Sequence, residues 1–420
     1  MARRLFILVV ALVAGCTGAS GSTTPSHLPP TVTAHTSPQP SSASVTPSAA
    51  TPTFSPIDAL WVDAIDQAIS GRDVSVVVGS GRSIVYRHDG STPRVLASNE
   101  KLLTSMAALD LLGAGYRFQT RVATDAAMRD GVVDGDLWLI GGGDPTLTTA
   151  DLAGLANDLA DAGIRRITER VVGDTGAFNR GWWAPGWLRG ISRNYVARPT
   201  ALRLTGSSGL EAEAAAAFRA ALLSAGIEVM GPTATGVAPD GLEVLATDRS
   251  AALGSLLAHQ NHESDNLYAE LTTKLLGDTA ATSGSTASGA RVIHAWAAEH
   301  AVDASVRDGS GLSDQDRTSA EGLVTLLLAA QRRPWFPVFL RSLPTGGVGT
   351  LTGRLTGFPV HAKTGTLFVR PTSTLSGYVT TRNGRTVAFS VLTHDLPEST
   401  AVGIEDAVVR ALAGATIRSP

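Results

Sequence analysis

Residues 96–113 read LASNEKLLTSMAALDLLG. Leu102, Leu103, Met106, Leu109 and Leu112 keep helical spacing as far as Gly113, so the stretch predicts a helix with Ser98 at or near its N-terminus. Ser98 and Lys101 are then three positions apart on one helix face. The lysine stands out: only Lys101, Lys274 and Lys363 among the 34 basic residues are lysines, leaving 31 arginines. A serine hydroxyl is a poor nucleophile until a neighbour removes its proton. Arginine holds its proton too tightly for that task, whereas a desolvated lysine can release its own and accept another. The positive end of the helix dipole pushes Lys101 in the same direction. Taken alone, Ser-x-x-Lys is weak evidence, because the spacing arises often by chance.

Two further stretches change its weight. HESDNLYAE (residues 262–270) places Ser264-Asp265-Asn266 just ahead of a helical pattern, and HAKTGTL (residues 361–367) places Lys363-Thr364-Gly365-Thr366 on a predicted strand. Ser-x-x-Lys, Ser-x-Asn and Lys-Thr-Gly, in that order, form the signature of active-site serine penicillin-recognising enzymes. The chain more closely resembles the D-Ala-D-Ala carboxypeptidase/endopeptidase family of the class C, penicillin-binding protein 4 type. GDLWLIGGGDPTL (135–147), APGW (184–187), DGSGLS (308–313) and GTL (349–351) carry the resemblance, together with the long insertion between Ser98 and Ser264. It covers nearly everything from residue 56 onward.

The resemblance implies an α+β fold: a penicillin-binding, serine β-lactamase-like transpeptidase domain carrying one inserted α/β domain. Its antiparallel five-stranded sheet is flanked by helices and a helical region. It also implies roles. Ser98 attacks the penultimate D-Ala carbonyl of a peptidoglycan stem peptide, Lys101 takes the proton, and Ser264 relays it to the leaving D-Ala. Asn266 binds the acylated peptide and orients Lys101, while Lys363 with Thr364 or Thr366 receives the substrate carboxylate. The backbone N–H groups of Ser98 and Thr366 form the oxyanion hole, and β-lactams acylate Ser98. Members often nest a third domain in the insertion, for which NYVARPTALRLTGSSGLEAEAAAAF leaves no room. Some carry an acidic residue shortly after Ala-Pro-Gly-Trp, where this chain has Leu188, Arg189, Gly190 and Ile191.

Periodicity suggests how the pieces join. A helix over Ile57–Ile69 precedes strands Val74–Ser80 and Ser83–His88, paired as a hairpin. Three strands near Val360–Val369, Ser373–Thr381 and Thr386–Thr393 precede a C-terminal helix. The simplest assembly puts hairpin and late strands in one antiparallel sheet under the terminal helices. Residues 56–120 and 248–420 then form the catalytic domain, and 121–247 an inserted accessory domain. Helices return after the insertion, and Lys274 on one of them is expected to face solvent.

The N-terminus points to export. Arg3 and Arg4, the apolar run Leu5–Ala14 and Gly15-Cys16 read as a signal peptide over residues 1–15 that ends like a lipobox, with Cys16 as the lipidated residue. Residues 16–55 are a Ser/Thr/Pro-rich tether unable to bury a core. The expected location is the cell envelope, lipid-anchored at the outer face of the cytoplasmic membrane, with peptidoglycan peptides as partners and β-lactams as inhibitors. A net charge of −3 gives no basic field for nucleic acid. His259 and His262 have no third ligand at useful spacing, and Gly141–Gly143 lacks the Lys-Ser/Thr of a phosphate loop, so neither metal nor cofactor is expected. Asp144-Pro145 reads as turn architecture, and Trp182, Trp183 and Trp187 as packing residues. A serine β-lactamase is a rival reading, although the region around Glu299 lacks the Glu and Asn of class A enzymes. So is a catalytically silent cell-wall-binding lipoprotein, which has no need of a deprotonatable lysine.

Overall fold

Every residue of the strand Val74–Ser80 is buried, so it is covered on both faces rather than alternating between core and solvent. It belongs to a five-stranded antiparallel sheet in the order Val360–Leu367, Thr372–Thr380, Thr386–Thr393, Val74–Ser80, Ser83–His88. The first hairpin and the last three strands therefore share one sheet, as the sequence suggests. Period two sends alternate side chains into two cores. Val74, Val76, Val78, Leu375, Phe389 and Val391 pack against Trp61 and Ile65 of the helix Pro56–Ile69 and Ile404, Val408 and Leu412 of the helix Glu398–Gly414. Val77, Tyr378, Ala388 and Leu392 face a larger core, shared with the helices Glu100–Leu111, Leu253–His262, Asn266–Thr279, Thr286–Glu299 and Ala320–Ala330.

The computed structural model describes residues 56–188, 194–280, 284–367 and 371–417. The signal peptide, Cys16, the tether, and Arg189, Gly190 and Ile191 lie outside them. Within residues 54–420, which form one compact unit, residues 119–249 build a second five-stranded sheet. Its order is Thr233–Gly236, Val171–Asp174, Leu137–Gly141, Gln119–Thr124, Glu243–Arg249, with the first three strands parallel. The helices Thr149–Asp161 and Leu210–Ser224 bury Leu152, Leu155, Ala214 and Phe218 against it, in a core of its own with Leu139 and Val171. Asp144 makes a turn there: Oδ1 accepts from the Thr146 amide and hydroxyl.

Two local features depart from the sequence reading. The stretch RRITERVVGD (residues 165–174), whose composition reads as one continuous strand, forms two, Arg166–Ile167 and Val171–Asp174, in different sheets. A short helix at Phe336–Ser342 escapes periodicity because it contains Pro337; in a first turn proline loses no helical hydrogen bond.

Candidate active site

Ser98 stands in a single 3₁₀ turn, Ala97–Asn99, immediately before the helix Glu100–Leu111. Ala97 is forced to φ +47°, a left-handed conformation that costs free energy for a residue with a side chain. The neighbouring strands hold it there. Thr374 Oγ1 donates to the Leu96 carbonyl at 3.0 Å, Asn99 Nδ2 donates to Ser376 Oγ at 2.8 Å, and the Leu96 amide donates to the Asp316 carbonyl at 3.1 Å. Gly365 allows the approach: a Cβ there would lie 2.9 Å from the Ser98 nitrogen and 3.0 Å from the Leu96 oxygen. The glycine of Lys-Thr-Gly thus serves close packing of strand on turn.

Lys101 Nζ lies 3.1 Å from Ser98 Oγ, and donates to Asn266 Oδ1 at 2.7 Å and to the Ser310 carbonyl at 2.6 Å. The side chain is fully buried. Burial pushes its pKa down to about 8, against the opposing pull of Asp308, Glu270, Asp265 and Glu100. A neutral amine here keeps two N–H donors and offers a lone pair to the serine proton.

Ser264 occupies a left-handed turn at φ +55°, and Asp265 caps the helix Asn266–Thr279 by accepting from the Leu267 and Tyr268 amides. Asn266, the first helical residue, accepts from Lys101 and donates to the Tyr195 carbonyl at 2.9 Å. Lys101 thus joins Ser98 to Asn266, whereas Ser264 is half-buried and its hydroxyl makes no hydrogen bond among the described residues. Lys363 is fully buried, and burial, with Lys101 beside it, drives its pKa well down; its Nζ donates to the Thr364 carbonyl at 2.9 Å. Thr364 and Thr366 differ: the Thr364 hydroxyl is engaged with Thr350 Oγ1 at 2.8 Å, whereas Thr366 is exposed.

Sequence reasoning passed over a group of acids behind Lys101. Glu100, Glu270, Asp308 and Asp316 are all fully buried. Asp308 Oδ1 accepts from the Ser310 and Gly311 amides, and Oδ2 from the Ser313 amide and the Trp187 indole. Neither Glu100 oxygen has a hydrogen-bond partner among the described residues, and burial raises its pKa well above the usual carboxyl range. Asp308 and Glu270 lie inside the quoted motifs, but nothing in their spacing shows that they converge. Among the described residues, no group of three His, Cys, Asp or Glu side chains could hold a metal ion.

Lys274 corrects an expectation. Rather than facing solvent it is fully buried, and its Nζ donates to the carbonyls of Asn179 at 2.6 Å and Gly181 at 2.9 Å. Helical periodicity explains it: Lys274 lies eight residues after Asn266, on the same inward stripe. The segment it ties down leads to Trp182, Trp183 and Trp187, which cluster with Ala184 and Val196 and with Leu267 beside Asn266.

Known proteins point the same way. The sequence profile of the D-Ala-D-Ala carboxypeptidase 3 (S13) family matches residues 57–210 and 206–415. The D-alanyl-D-alanine carboxypeptidase of Actinomadura sp. (strain R39) is 29% identical across 85% of this chain and 84% of its own. A carboxypeptidase DacB of Mycolicibacterium smegmatis is 28% identical over 79% of each. In fold, the crystal structure of penicillin binding protein 4 from Haemophilus influenzae superimposes with a TM-score of 0.71 at 21% identity, covering 84% of this chain and 99% of that one. With the profile spanning both sheets and all three motifs, the chain belongs to the D-Ala-D-Ala carboxypeptidase 3 (S13) family.

Proposed function

We propose that the protein is a serine D-Ala-D-Ala carboxypeptidase that also cuts peptidoglycan cross-links, working through an acyl-enzyme on Ser98. The carboxypeptidase class rests on the family and on relatives of that activity. The observation that carries the mechanism is the 3.1 Å contact between Ser98 Oγ and a buried Lys101 whose proton affinity is reduced. By this reading neutral Lys101 takes the Ser98 proton as Oγ attacks the penultimate D-Ala carbonyl. The Ser98 and Thr366 amides receive the oxyanion, each donor being worth about 3 kcal/mol in the transition state. Ser264 passes the proton to the departing D-Ala, and water then hydrolyses the ester. Asn266 supports both Lys101 and the bound peptide. Thr366, which is exposed, with the N–H donors of the Lys363 amino group, suits the terminal carboxylate better than Thr364, already paired with Thr350. A β-lactam presents a strained amide to the same serine and leaves a long-lived acyl group.

Purified protein incubated with cross-linked muropeptides, its products followed by mass spectrometry, tests this. Release of D-Ala and of cross-linked halves, abolished in Ser98→Ala, is expected. Covalent penicillin labelling without peptide hydrolysis would favour the silent binder, and rapid penicillin turnover a β-lactamase. The leader and Cys16 support export and a lipid anchor in the envelope; palmitate labelling should disappear in Cys16→Ser, and labelling that persists removes the anchor from this account.

A further inference from the structure

The helix Asn266–Thr279 presents Asn266, Glu270 and Lys274 on one face, four residues apart. Asn266 touches Lys101 directly and Lys274 holds a distant loop. Glu270, between them, is fully buried, and each of its oxygens is in use. Oε1 accepts from the amides of Gly309 and Ser310, both at 3.0 Å, and Oε2 accepts from the Thr286 hydroxyl at 3.2 Å. The peptide whose N–H groups Glu270 holds is the one whose Ser310 carbonyl accepts from Lys101 Nζ at 2.6 Å. Thr104 fixes the preceding carbonyl, donating to Gly309 at 2.9 Å. The loop has little freedom otherwise, because a Cβ at Gly309 would overlap Thr273 and one at Gly311 would overlap Ala97.

We propose that Glu270 is a positioning residue for Lys101: it holds the Ser310 carbonyl against Lys101 Nζ, and its charge governs when Lys101 is free to take the Ser98 proton. The proposal rests on the reaction assigned above. Two parts of the geometry carry it. One is mechanical, since Lys101 has three acceptors and two of them, Asn266 Oδ1 and Ser310 O, are placed by the same helix, the second through Glu270. The other is electrostatic. A carboxylate one peptide away from a buried amine favours the ammonium form, which is inactive as a base. The other charged groups facing this space are Glu100 from the serine helix, Asp308 and Asp316 from the loop, Asp265 at the helix cap, Lys274 a turn further on, and Lys363 beside Lys101. From the helix Thr286–Glu299 comes only the Thr286 hydroxyl. Burial, with Asp308 adding to it, raises Glu270 to about 7, so that its charge changes just below the range in which Lys101 titrates.

The test is the pH dependence of Ser98 acylation by a fluorescent penicillin, with D-Ala release from a D-Ala-D-Ala peptide measured in parallel. Glu270→Gln keeps an acceptor for the Gly309 and Ser310 amides and removes the charge. It should move the midpoint of the acid limb down by about half a pH unit or more, while the plateau rate stays within about threefold. Glu270→Ala removes the acceptor too, and should lower kcat on the plateau by about tenfold or more with little change in KM. A residue that only stabilises the fold would lower Tm in both variants and leave the midpoint of Glu270→Gln unmoved, and that result overturns the proposal. So does a midpoint that rises. If Glu270→Ala does not fold, the near-isosteric Glu270→Gln still decides. Wild-type protein that never acylates sinks the assigned reaction itself, a failure distinct from an unmoved midpoint in active enzyme.

Discussion

Lys101 and Lys363 are both fully buried lysines, yet they make different contacts. Lys101 reaches Ser98 Oγ and is pushed down to about 8; Lys363 meets only the Thr364 carbonyl among the described residues. A base must be neutral to work, so the acylation rate should climb with pH through about 8 and level off above it. Lys101→Arg keeps a cation in place and cannot deprotonate. Its acylation should fall by about 10³-fold or more at every pH, as expected for loss of an activating base. Labelling at the wild-type rate in that variant would refute the role assigned to Lys101. The pairing of Ser98 with Lys101 was legible in the sequence, because they lie three positions apart on one predicted helix. What could not be read was the source of the shift. Desolvation lowers Lys101, and four nearby acids oppose it, a balance that exists only once the helices have packed.

Elements explain why the serine sits where it does. Ten of the twelve residues of Glu100–Leu111 are buried, including Glu100, Lys101, Thr104 and Ser105, so this helix runs through the middle of the core and has no solvated face. Its polar residues can be there only because neighbours satisfy most of them, as Gly309 does for Thr104. The strand Val360–Leu367 closes the site through Gly365. Gly365→Ala places a methyl group within 2.9 Å of the Ser98 nitrogen, closer than packed atoms come. The turn or the strand must then shift, and with it the proposed oxyanion donors. Acylation should drop by about 10²-fold, the typical effect of disturbing one such donor, while circular dichroism stays close to wild type. Undiminished acylation would show that the amides of Ser98 and Thr366 do not act together. Strand and helix locations followed from periodicity, but this contact did not, because Lys-Thr-Gly in the sequence says nothing of which backbone its glycine meets.

At the scale of the whole molecule, the segment after Asp174 returns from the second sheet to the helices and loop around Lys101 at three points. Lys274 grips the carbonyls of Asn179 and Gly181, the Trp187 indole donates to Asp308, and the Tyr195 carbonyl receives Asn266. Burial pushes Lys274 down to about 8. A lysine with a lowered pKa binds fewer protons in the folded than in the unfolded state, so stability should rise with pH between about 8 and the unfolded value near 10.5. Lys274→Met removes this contribution to the slope and the two hydrogen bonds to the Asn179 and Gly181 carbonyls, each worth about 1 kcal/mol. Thermal melts across pH should therefore show a lower Tm and a flatter rise on the alkaline side. An unchanged Tm with an unchanged slope would return Lys274 to the solvent-facing role that its place in the sequence suggested.

Patterns set by covalent spacing and by residue chemistry were decided in the sequence alone. The hairpin and late strands show their period, Ser98 and Lys101 lie within one helical turn, and three motifs in order identify the family before any coordinate is known. Tertiary structure decided whatever depends on atoms distant in the chain. Asn266 stands 165 positions from Lys101 and the Ser310 carbonyl 209. Glu270 and Asp308 reach the site through backbone amides that any residue could supply, so composition cannot mark them. Burial is the physical reason throughout. It turns Lys274 inward, lowers Lys101 and gathers four acids behind it, and desolvation belongs to the packed molecule rather than to any stretch of its sequence.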